Sequence, residues 1–271
     1  MAVTKIYHKV LTIAGSDSSG GAGIQGDLKT ISALGCYGMS VITALTAQNT
    51  VGITSIHMVP EAFVQEQLEA IFCDIGADAV KIGMLYSAEI TEIVSRQLIK
   101  HNAKNIVLDP LMVAQSGEEL LQDNALRVIK EQLMPMASVL TPNLPEASIL
   151  LNTQVLNLED MHNAARELAR FGSKAILIKG GHLGNNNSND LLYICPEDRF
   201  ILLKAKRIAT LNNHGTGCAL SSAIASFLAK GFPVEKAVRL AKDYIDGAIR
   251  AGAVYKYGNG HGPLHHYYKF W

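Results

Sequence analysis

A glycine-rich segment near the C-terminal third has residue types that suit anion binding. Residues 213–218 read Asn-His-Gly-Thr-Gly-Cys and precede an apolar helical pattern. The glycines allow a tight turn whose backbone N–H groups point into a cavity, and the following helix N-terminus adds partial positive charge. We expect Gly215, Thr216 and Gly217 to stabilise a phosphate during transfer. A plain helix N-cap with flexible glycines is the alternative.

Cys218 stands at the start of that predicted helix. The helix dipole is expected to lower the pKa of a thiol there and to make it reactive. The alternative is a small buried residue that packs under the loop. The other cysteines, Cys36, Cys73 and Cys195, form no CxxC pair, so zinc and iron–sulfur sites are not indicated.

A second loop, residues 15–23, follows the first predicted strand and is rich in glycine and serine. Its glycines permit close approach of a ligand. Asp27 lies just beyond it, on the first or second turn of a predicted helix, where it could accept a hydrogen bond from a ring amine. A solvated first-turn acid favoured by the helix dipole is the alternative.

Two further strand ends carry oxygen ligands. Asn143 and Glu146 follow a strand and would share one helical face. They could hold water around Mg²⁺, which prefers hard oxygen ligands, or form a capping box with Asn143 as N-cap. Asp109 ends another strand, where an acid can align Mg²⁺.

The segment Ile-Lys-Gly-Gly-His, residues 178–182, also follows a strand. We assign Lys179 and Gly181 to the nucleotide side, with the lysine reaching phosphates; a strand-end lysine that merely extends to solvent is the alternative. The glycine- and histidine-rich tail, residues 258–266, favours a closing flap or packed tail over a metal site.

Two nucleotide-binding motifs are excluded. Residues 21–26 match GxGxxG, but residues 28–60 contain no Asp or Glu to bind a ribose, which argues against a dehydrogenase. The chain also lacks the GxxxxGK[ST] pattern of a P-loop.

The bulk composition favours a single domain over residues 1–271 that acts on small molecules. The chain is 48% hydrophobic and 18% charged, with a formal net charge of zero. No basic excess indicates nucleic acid, and no apolar run is long enough to span a bilayer. The N-terminus reads as a strand rather than a signal peptide, and sparse cysteines fit a cytoplasmic location.

Short apolar segments alternate with amphipathic ones, which predicts an α/β fold: a mostly parallel sheet with helices on both faces. Ligands bind at the carboxyl ends of strands in such sheets. The predicted strands are 10–14, 41–45, 79–82, 106–108, 138–140 and 175–178, with a hairpin at 190–194 and 200–204. The predicted helices are 24–34, 61–72, 88–99, 124–133, 158–171, 218–228 and 234–251.

Together these loops resemble the ribokinase-like superfamily, and more narrowly the hydroxymethylpyrimidine/phosphomethylpyrimidine kinases of thiamine biosynthesis. The similarity runs from Leu11 to His266 and implies a three-layer sandwich. The matching stretches are LTIAGSDSSGGAGIQGDLKT, YGMSVITALTAQNTVG, KIGML, VLDPLMVAQSG, LTPNLPEA, IKGGH, NNHGTGCALSSAIA and GHGPLHH.

The resemblance also implies roles for individual residues. The pyrimidine would be held by Gly15, Ala22, Asp27, Gln48 and Met84, with Gln48 bonded to the ring and its amine. The resemblance further places Asn143 and Glu146 at magnesium and phosphate, Lys179 at the nucleotide and Gly215–Gly217 in the anion hole. It implies that Cys218 is catalytic and activates the substrate hydroxyl by helping to remove its proton.

Three positions depart from the pattern. Cys218 stands where the wider superfamily usually has Asp, which weakens the case for a simple general base. Gln115 stands where the family often has Lys, so one phosphate-side charge is absent. Gly26 stands where Ala is common, which accounts for the GxGxxG match.

The implied activity is transfer of phosphate from ATP, with Mg²⁺, to a hydroxymethylpyrimidine and then to its monophosphate, by a cytoplasmic homodimer. Two alternatives remain open. One is a pyridoxal kinase, although Gln48 favours an aminopyrimidine because its amide both donates and accepts. The other is a non-catalytic sensor, which would need neither the glycine-rich turn nor the NxxE pair.

Overall fold

The computed structural model describes residues 7–112, 123–181, 183 and 187–271. Its centre is an eight-stranded sheet with the order β10-β9-β8-β7-β6-β5-β1-β2, and β3 pairs with β4 in a separate two-stranded sheet. The strands are β1 Lys9–Ala14, β2 Tyr37–Ile42, β3 Ala44–Gln48, β4 Ile53–Met58, β5 Ala79–Ile82, β6 Ile106–Leu108, β7 Val139–Leu140, β8 Ala175–Ile178, β9 Asp190–Ile194 and β10 Arg199–Leu203.

Helices cover both faces of the large sheet, and one hydrophobic core lies on each side. The central strands are therefore buried on both faces, as near-continuous apolar runs predict. The helices are α1 Gly23–Ala33, α2 Glu61–Asp74, α3 Ala88–Lys100, α4 Asp123–Val128, α5 Leu144–Leu151, α6 Leu158–Ala169, α7 Thr216–Ala229 and α8 Val234–Gly252. The predicted α/β fold is confirmed.

Parallel pairing runs from β2 through β1, β5, β6 and β7 to β8. β9 is antiparallel to both β8 and β10, which confirms the predicted hairpin. The chain order reverses beside β1, because β2 lies on one side of it and β5 on the other. Such a switch point, at the carboxyl ends of the strands, is where open α/β sheets bind ligands.

The prediction of one strand over residues 41–45 was wrong. β2 ends at Ile42, and the hydroxyl of Thr43 donates to the carbonyl of Met84 at 2.7 Å. The chain leaves the large sheet there, and β3 pairs in antiparallel fashion with β4, which was not predicted. Because β4 is half-exposed, it lacks the apolar run that marks a buried strand.

The predicted helix 124–133 was correct only in its first part. α4 ends at Val128 and continues as a π-helical turn over Ile129–Leu133. A single π-helical turn shifts the side-chain register, which a fixed helical period does not anticipate. Among the described residues, none of the helices combines the length and apolar character needed to cross a membrane.

Candidate active site

The loop after β1 is organised around the carboxylate of Asp17. It accepts from the backbone N–H and hydroxyl of Ser19 at 2.8 and 2.6 Å. It also accepts from the N–H groups of Gly21 and Ala22 at 3.1 and 2.8 Å. The Nε2 atom of His214 lies 2.8 Å away. Burial works to raise the pKa of Asp17, but these donors, His214 foremost, hold it below its usual range.

Asp17 and His214 therefore connect the loop after β1 to the loop before α7. The two loops also touch through their backbones. Gly215 has a φ of +79°, and a Cβ there would lie 1.9 Å from the carbonyl oxygen of Gly21. Only glycine fits this approach without moving one of the loops.

The residues assigned to the pyrimidine ring converge on this loop, with one exception. Gly15 contacts Met84, because a Cβ on the glycine would lie 2.5 Å from the methionine Cε. Ala22 forms the N-cap of α1 and is half-buried. Met84 packs with Ala44 in a small apolar cluster beside the β3–β4 hairpin.

Gln48 lies at the end of β3 and is tied to the same loop. Its N–H donates to the hydroxyl of Ser18, and that hydroxyl also contacts its carbonyl oxygen, both at 2.8 Å. Its side-chain oxygen accepts from Thr46 at 3.1 Å. The amide of Gln48 is therefore held beside the loop that carries Gly15 and Ala22.

The prediction that Asp27 faces the substrate ring is not supported, because the carboxylate lies in the core. Its side chain is 0% exposed and forms an ion pair with the equally buried Lys81 at 2.8 Å. The hydroxyls of Thr12 and Ser222 donate to it at 2.6 and 2.7 Å. Both oxygens are thus occupied by protein donors, and neither reaches the surface of the site.

The turn before α7 is a glycine N-cap, and its role as an anion hole stays a prediction. Gly215 is the N-cap, and α7 begins at Thr216, whose hydroxyl donates to the carbonyl of Asn213 at 2.7 Å. A Cβ on Gly217 would lie 3.2 Å from the Nζ of Lys179. The first turn of α7 therefore lies beside the ammonium of Lys179, so the partial positive charge of the helix N-terminus and the lysine lie close together.

The prediction of a lowered thiol pKa at Cys218 was wrong. Burial raises the pKa of Cys218 to about 11, and the nearby carboxylates of Asp27 and Asp109 act in the same direction. Lys81 and the N–H of Gly23 oppose the rise only in part. The helix N-terminus is present, but desolvation outweighs it because the residue is 7% exposed.

On the nucleotide side, Lys179 joins two carboxylates. Its Nζ lies 2.8 Å from Oδ1 of Asp109 and 3.6 Å from Oε2 of Glu146. Asp109 also accepts from Thr141 at 2.9 Å and from Ser221 of α7 at 3.2 Å. Burial favours a neutral carboxyl, but Lys179 and the more distant Lys81 keep the pKa of Asp109 low.

Asn143 and Glu146 form the capping box that was the alternative to a magnesium role. Each side chain accepts from the other's backbone N–H, at 2.8 and 2.7 Å. The box does not use all of the acid's acceptor capacity, and Lys179 lies near the same oxygen. Burial and Asp109 raise the pKa of Glu146 to about 7, with Lys179 opposing.

Gly181 lies next to this cluster. Its carbonyl accepts from Arg207 at 2.7 Å. The N–H of the preceding Gly180 donates to Asp190, which is itself paired with Lys242 at 2.7 Å. These contacts fix the turn after β8.

The departure at Gln115 and the histidine of the 178–182 segment lie outside the described residues.

The C-terminal segment packs onto the site as a tail. The N–H of His261 donates to the carbonyl of Thr50, in the turn of the β3–β4 hairpin, at 2.8 Å. The N–H of His214 donates to the carbonyl of Gly262 at 3.0 Å. The tail thus connects the hairpin to the loop before α7. Among the described residues, none of the tail histidines belongs to a group that could hold a metal ion.

Comparison with known proteins identifies the family of the chain. The family model for phosphomethylpyrimidine kinase matches residues 17–265. The chain belongs to this family. The predictions of the family and of a kinase are confirmed at this level.

Two curated relatives support the assignment. Hydroxymethylpyrimidine/phosphomethylpyrimidine kinase of Rhizobium meliloti is 47% identical, over 96% of this chain and 97% of that protein. Thiamine biosynthesis bifunctional protein ThiED of Geobacter sulfurreducens is 49% identical over 95% of this chain. The chain spans about half the length of this second relative, since the match covers 52% of it.

Solved structures of two kinases are also similar. The phosphomethylpyrimidine kinase of Clostridium difficile has a TM-score of 0.79 and 44% identity, over 89% of this chain and 99% of that one. The ADP complex of Bacillus subtilis pyridoxal kinase has a TM-score of 0.89 and 36% identity, over 96% and 98%. The fold alone therefore does not separate the two activities.

For a phosphomethylpyrimidine kinase, the donor set on the nucleotide side fits magnesium. Asp109 and Glu146 supply carboxylate oxygens, which are the hard ligands that Mg²⁺ prefers. Lys179 holds the two acids near each other through its ammonium group.

Two pairs of interacting side chains in this family member were not predicted from the sequence. Asp17 and His214 both lay in quoted motifs without a role, and their contact joins loops far apart in the chain. Lys81 lay in the KIGML stretch. A lysine within the otherwise apolar strand β5 is itself a signal, because a buried ammonium needs a charged partner. That signal, applied to Asp27, would have placed the acid in the core.

Proposed function

We propose that this chain transfers the γ-phosphate of ATP to the hydroxymethyl group of 4-amino-5-hydroxymethyl-2-methylpyrimidine, and then phosphorylates the monophosphate. The observation that carries the proposal is that two groups of candidate residues meet at one edge of the sheet. The turn at Gly215–Gly217 and the Lys179 cluster lie on one side. The Asp17 loop, bonded to that turn through His214, lies on the other.

The ring lies against Gly15, Ala22 and Met84, beside the amide of Gln48. The apolar cluster around Met84 suits the methylated ring, while Gln48 supplies both a donor and an acceptor for the ring nitrogen and its amine. Asp27 has no direct contact with the ring in this arrangement, since its oxygens bond to Thr12, Lys81 and Ser222.

The transferring phosphate meets the first turn of α7. Backbone N–H groups of Gly215, Gly217 and Cys218 stabilise the charge on its equatorial oxygens, and Lys179 neutralises the polyphosphate. These groups are preorganised, because the capping contacts and the Asp109 bonds hold them before any ligand arrives. The N–H of Thr216 donates to the carbonyl of Asn213 at 3.3 Å and would have to leave it to take part. Asn143 and Gly181 border the nucleotide from the ends of the two neighbouring strands.

Cys218 acts as a protonated thiol that orients the substrate hydroxyl. With a pKa of about 11, it is not a thiolate base at neutral pH. Phosphoryl transfer through a loose transition state needs little proton removal before the oxygen attacks. This accounts for a cysteine where the wider superfamily usually has Asp.

Asp109 and Glu146 would hold magnesium, directly or through water. The ion would neutralise the charge of the polyphosphate. We further propose that the protein forms a homodimer, consists of one domain over residues 1–271 and works in the cytoplasm.

Phosphorylation of pyridoxal is the second candidate, favoured by the similarity to the Bacillus subtilis pyridoxal kinase. The two substrates share a hydroxymethyl group on an aromatic ring, and related rings are often tolerated in one pocket. Pyridoxal lacks the exocyclic amine that Gln48 would recognise.

Product analysis by mass spectrometry tests the proposal. The protein is incubated with Mg-ATP and an equal mixture of hydroxymethylpyrimidine and pyridoxal. We expect the pyrimidine monophosphate first and the pyrophosphate later. Gln48→Ala should reduce the pyrimidine product more than the pyridoxal product. Pyridoxal phosphate alone would reassign the activity, and absence of any phosphorylated product would favour the sensor.

A further inference from the structure

The most deeply buried charges in the described part of the chain lie beneath the active site. Asp27 and Lys81 are each 0% exposed, and their ion pair measures 2.8 Å. Thr12 and Ser222 complete the shell of the carboxylate. We call these four residues the buried hub. They come from α1, β5, β1 and α7, so one carboxylate joins four elements.

A hub of this kind is costly. Charges taken out of water lose solvation, and well-packed apolar side chains often serve a core as well or better. Stability alone therefore does not account for a lysine in β5. An alternative explanation is that the charged side chains fix the relative position of the elements that carry them. Apolar side chains would not fix it, because hydrophobic contacts have no preferred direction.

The positions to be fixed are those of the N-terminal ends of α1 and α7, which lie next to each other. Asp27 lies one turn after Gly23, where α1 begins, and Ser222 lies one turn after Cys218, in the first turn of α7. The hub thus lies about one turn from the start of α1 and nearly two turns from the start of α7 at Thr216. Its bond from Ser222 to Oδ1 of Asp27 measures 2.7 Å and spans the two helices.

Lys81 connects the hub to a third part of the structure, the end of β5. Its ammonium lies beside Gly83, because a Cβ on that glycine would be 2.6 Å from the Nζ of Lys81. The chain continues from Gly83 directly to Met84, which contacts Gly15. The same ion pair thus anchors the strand end that carries part of the ring pocket.

We propose that the Asp27–Lys81 pair with Ser222 and Thr12 is a positioning device that sets the anion-binding turn of α7 against the substrate loop. This inference rests on the proposed kinase activity. Its residues touch neither substrate nor nucleotide, and they act through Gly215–Cys218 and the loop at residues 15–23.

Two serines of α7 provide a matched pair for the test. Ser222 and Ser226 are both 0% exposed, one helical turn apart. The hydroxyl of Ser226 donates to the carbonyl of Ser222 within the helix, whereas that of Ser222 donates to Asp27. Replacing either by Ala deletes one buried hydroxyl, but only Ser222→Ala breaks the hub.

We expect Ser222→Ala to lower kcat about 10-fold or more, as small misplacements of reacting groups do, with KM for ATP changed less than about 3-fold. Ser226→Ala should keep the wild-type kcat. A second readout is independent of activity: alkylation of Cys218, followed by mass spectrometry, should become faster in Ser222→Ala only. Equal behaviour of the two variants in both readouts would overturn the proposal.

The charge-neutral double variant Asp27→Asn/Lys81→Met separates positioning from mere stability. It removes both charges, so it should regain most of the melting temperature lost by either single change while kcat stays low. If kcat returns together with the melting temperature, the hub is only structural. If the wild-type protein phosphorylates nothing, the proposed function has failed, and the alkylation comparison still decides the positioning.

Discussion

Two lysine–carboxylate clusters, one in the core beneath the candidate active site and one at its edge, differ in their contact with solvent. Lys81 and Asp27 are both 0% exposed, and the carboxylate bonds only to protein groups. Lys179 is 14% exposed and lies between Asp109 and Glu146. The first cluster lies in the core below the substrate loop, and the second borders the nucleotide side.

This difference shows which charges can do chemistry. Both Asp27 and Asp109 accept from protein donors on each oxygen, but the donors to Asp27 are all fully buried, whereas Lys179, a donor to Asp109, is 14% exposed. We infer that the cluster with Lys81 fixes geometry. The partly exposed Lys179 lies beside Glu146, whose pKa is raised to about 7, so we expect this second cluster to admit a ligand. We therefore propose that the same pairing of residue types fixes geometry in one place and binds the polyphosphate in the other.

The largest effect is expected from Asp109→Asn. This change removes the charge that holds Lys179 and one acceptor of Ser221 from α7. Turnover should fall by about 10²–10³-fold, as for loss of a charge-stabilising group. The matched control is Thr141→Val, which deletes one bond to Asp109 but keeps its charge. Steady-state kinetics that reduce both variants equally would contradict a special role for this carboxylate.

The next largest effect is expected from the backbone contact between the loop after β1 and the loop before α7. Gly215→Ala places a Cβ 1.9 Å from the oxygen of Gly21, in addition to the strain of a positive φ. We expect kcat to fall by about 10²-fold because the loops must separate. Gly231→Ala is the control, since its φ is +80° and its Cβ meets no atom within 4 Å. Similar kinetics for both would mean that strain alone matters.

The fold was largely predictable because its signals are local. Strands such as Ala175–Ile178 are apolar and bounded by turns, and helices such as Ala88–Lys100 repeat apolar residues at helical spacing. The β3–β4 hairpin was not predicted, because its strands are half-exposed and lie outside the large sheet. Its place depends on contacts with the distant tail, through Thr50 and His261.

The sequence predicted that the candidate residues at the strand ends lie close together, but it did not predict the burial and charge pairing of individual groups. Strand ends placed Asp109 and Lys179 together, as the structure has them. The position of Asp27 depended on Lys81, and the pKa of Cys218 depended on burial beneath two carboxylates. Burial and charge pairing arise from packing between distant segments, so neither can be obtained from the helix that carries the residue.

A moderate effect concerns the reactivity of the thiols. The pKa of about 11 predicts that iodoacetamide modifies Cys218 slowly at pH 7 and faster as the pH rises toward 11, because only the thiolate reacts. Cys73 is exposed and serves as an internal reference in the same digest. Rapid modification of Cys218 at pH 7, equal to that of Cys73, would contradict the burial argument.

The smallest effect is a pH dependence of stability at Asp17. Its pKa lies below the ordinary 3.8, so its contribution to the free energy of unfolding is complete above that pH. The contribution is lost as the pH falls through the lower folded value. Asp17→Asn should therefore be less stable than the wild type by about 1–3 kcal/mol at pH 7, with a smaller difference at pH 3. Urea unfolding at both pH values measures this, and a constant difference would contradict it.

The most direct test compares Lys179→Met with Lys81→Met, measuring both kcat and the free energy of unfolding. Lys81→Met should lose about 3–5 kcal/mol of stability, because it leaves a buried carboxylate unpaired. Lys179→Met should lose less stability but more turnover, by about 10²-fold or more, since its ammonium faces the phosphates. If Lys81→Met instead shows the greater loss of turnover and Lys179→Met the greater loss of stability, the division between positioning and reacting charges is wrong.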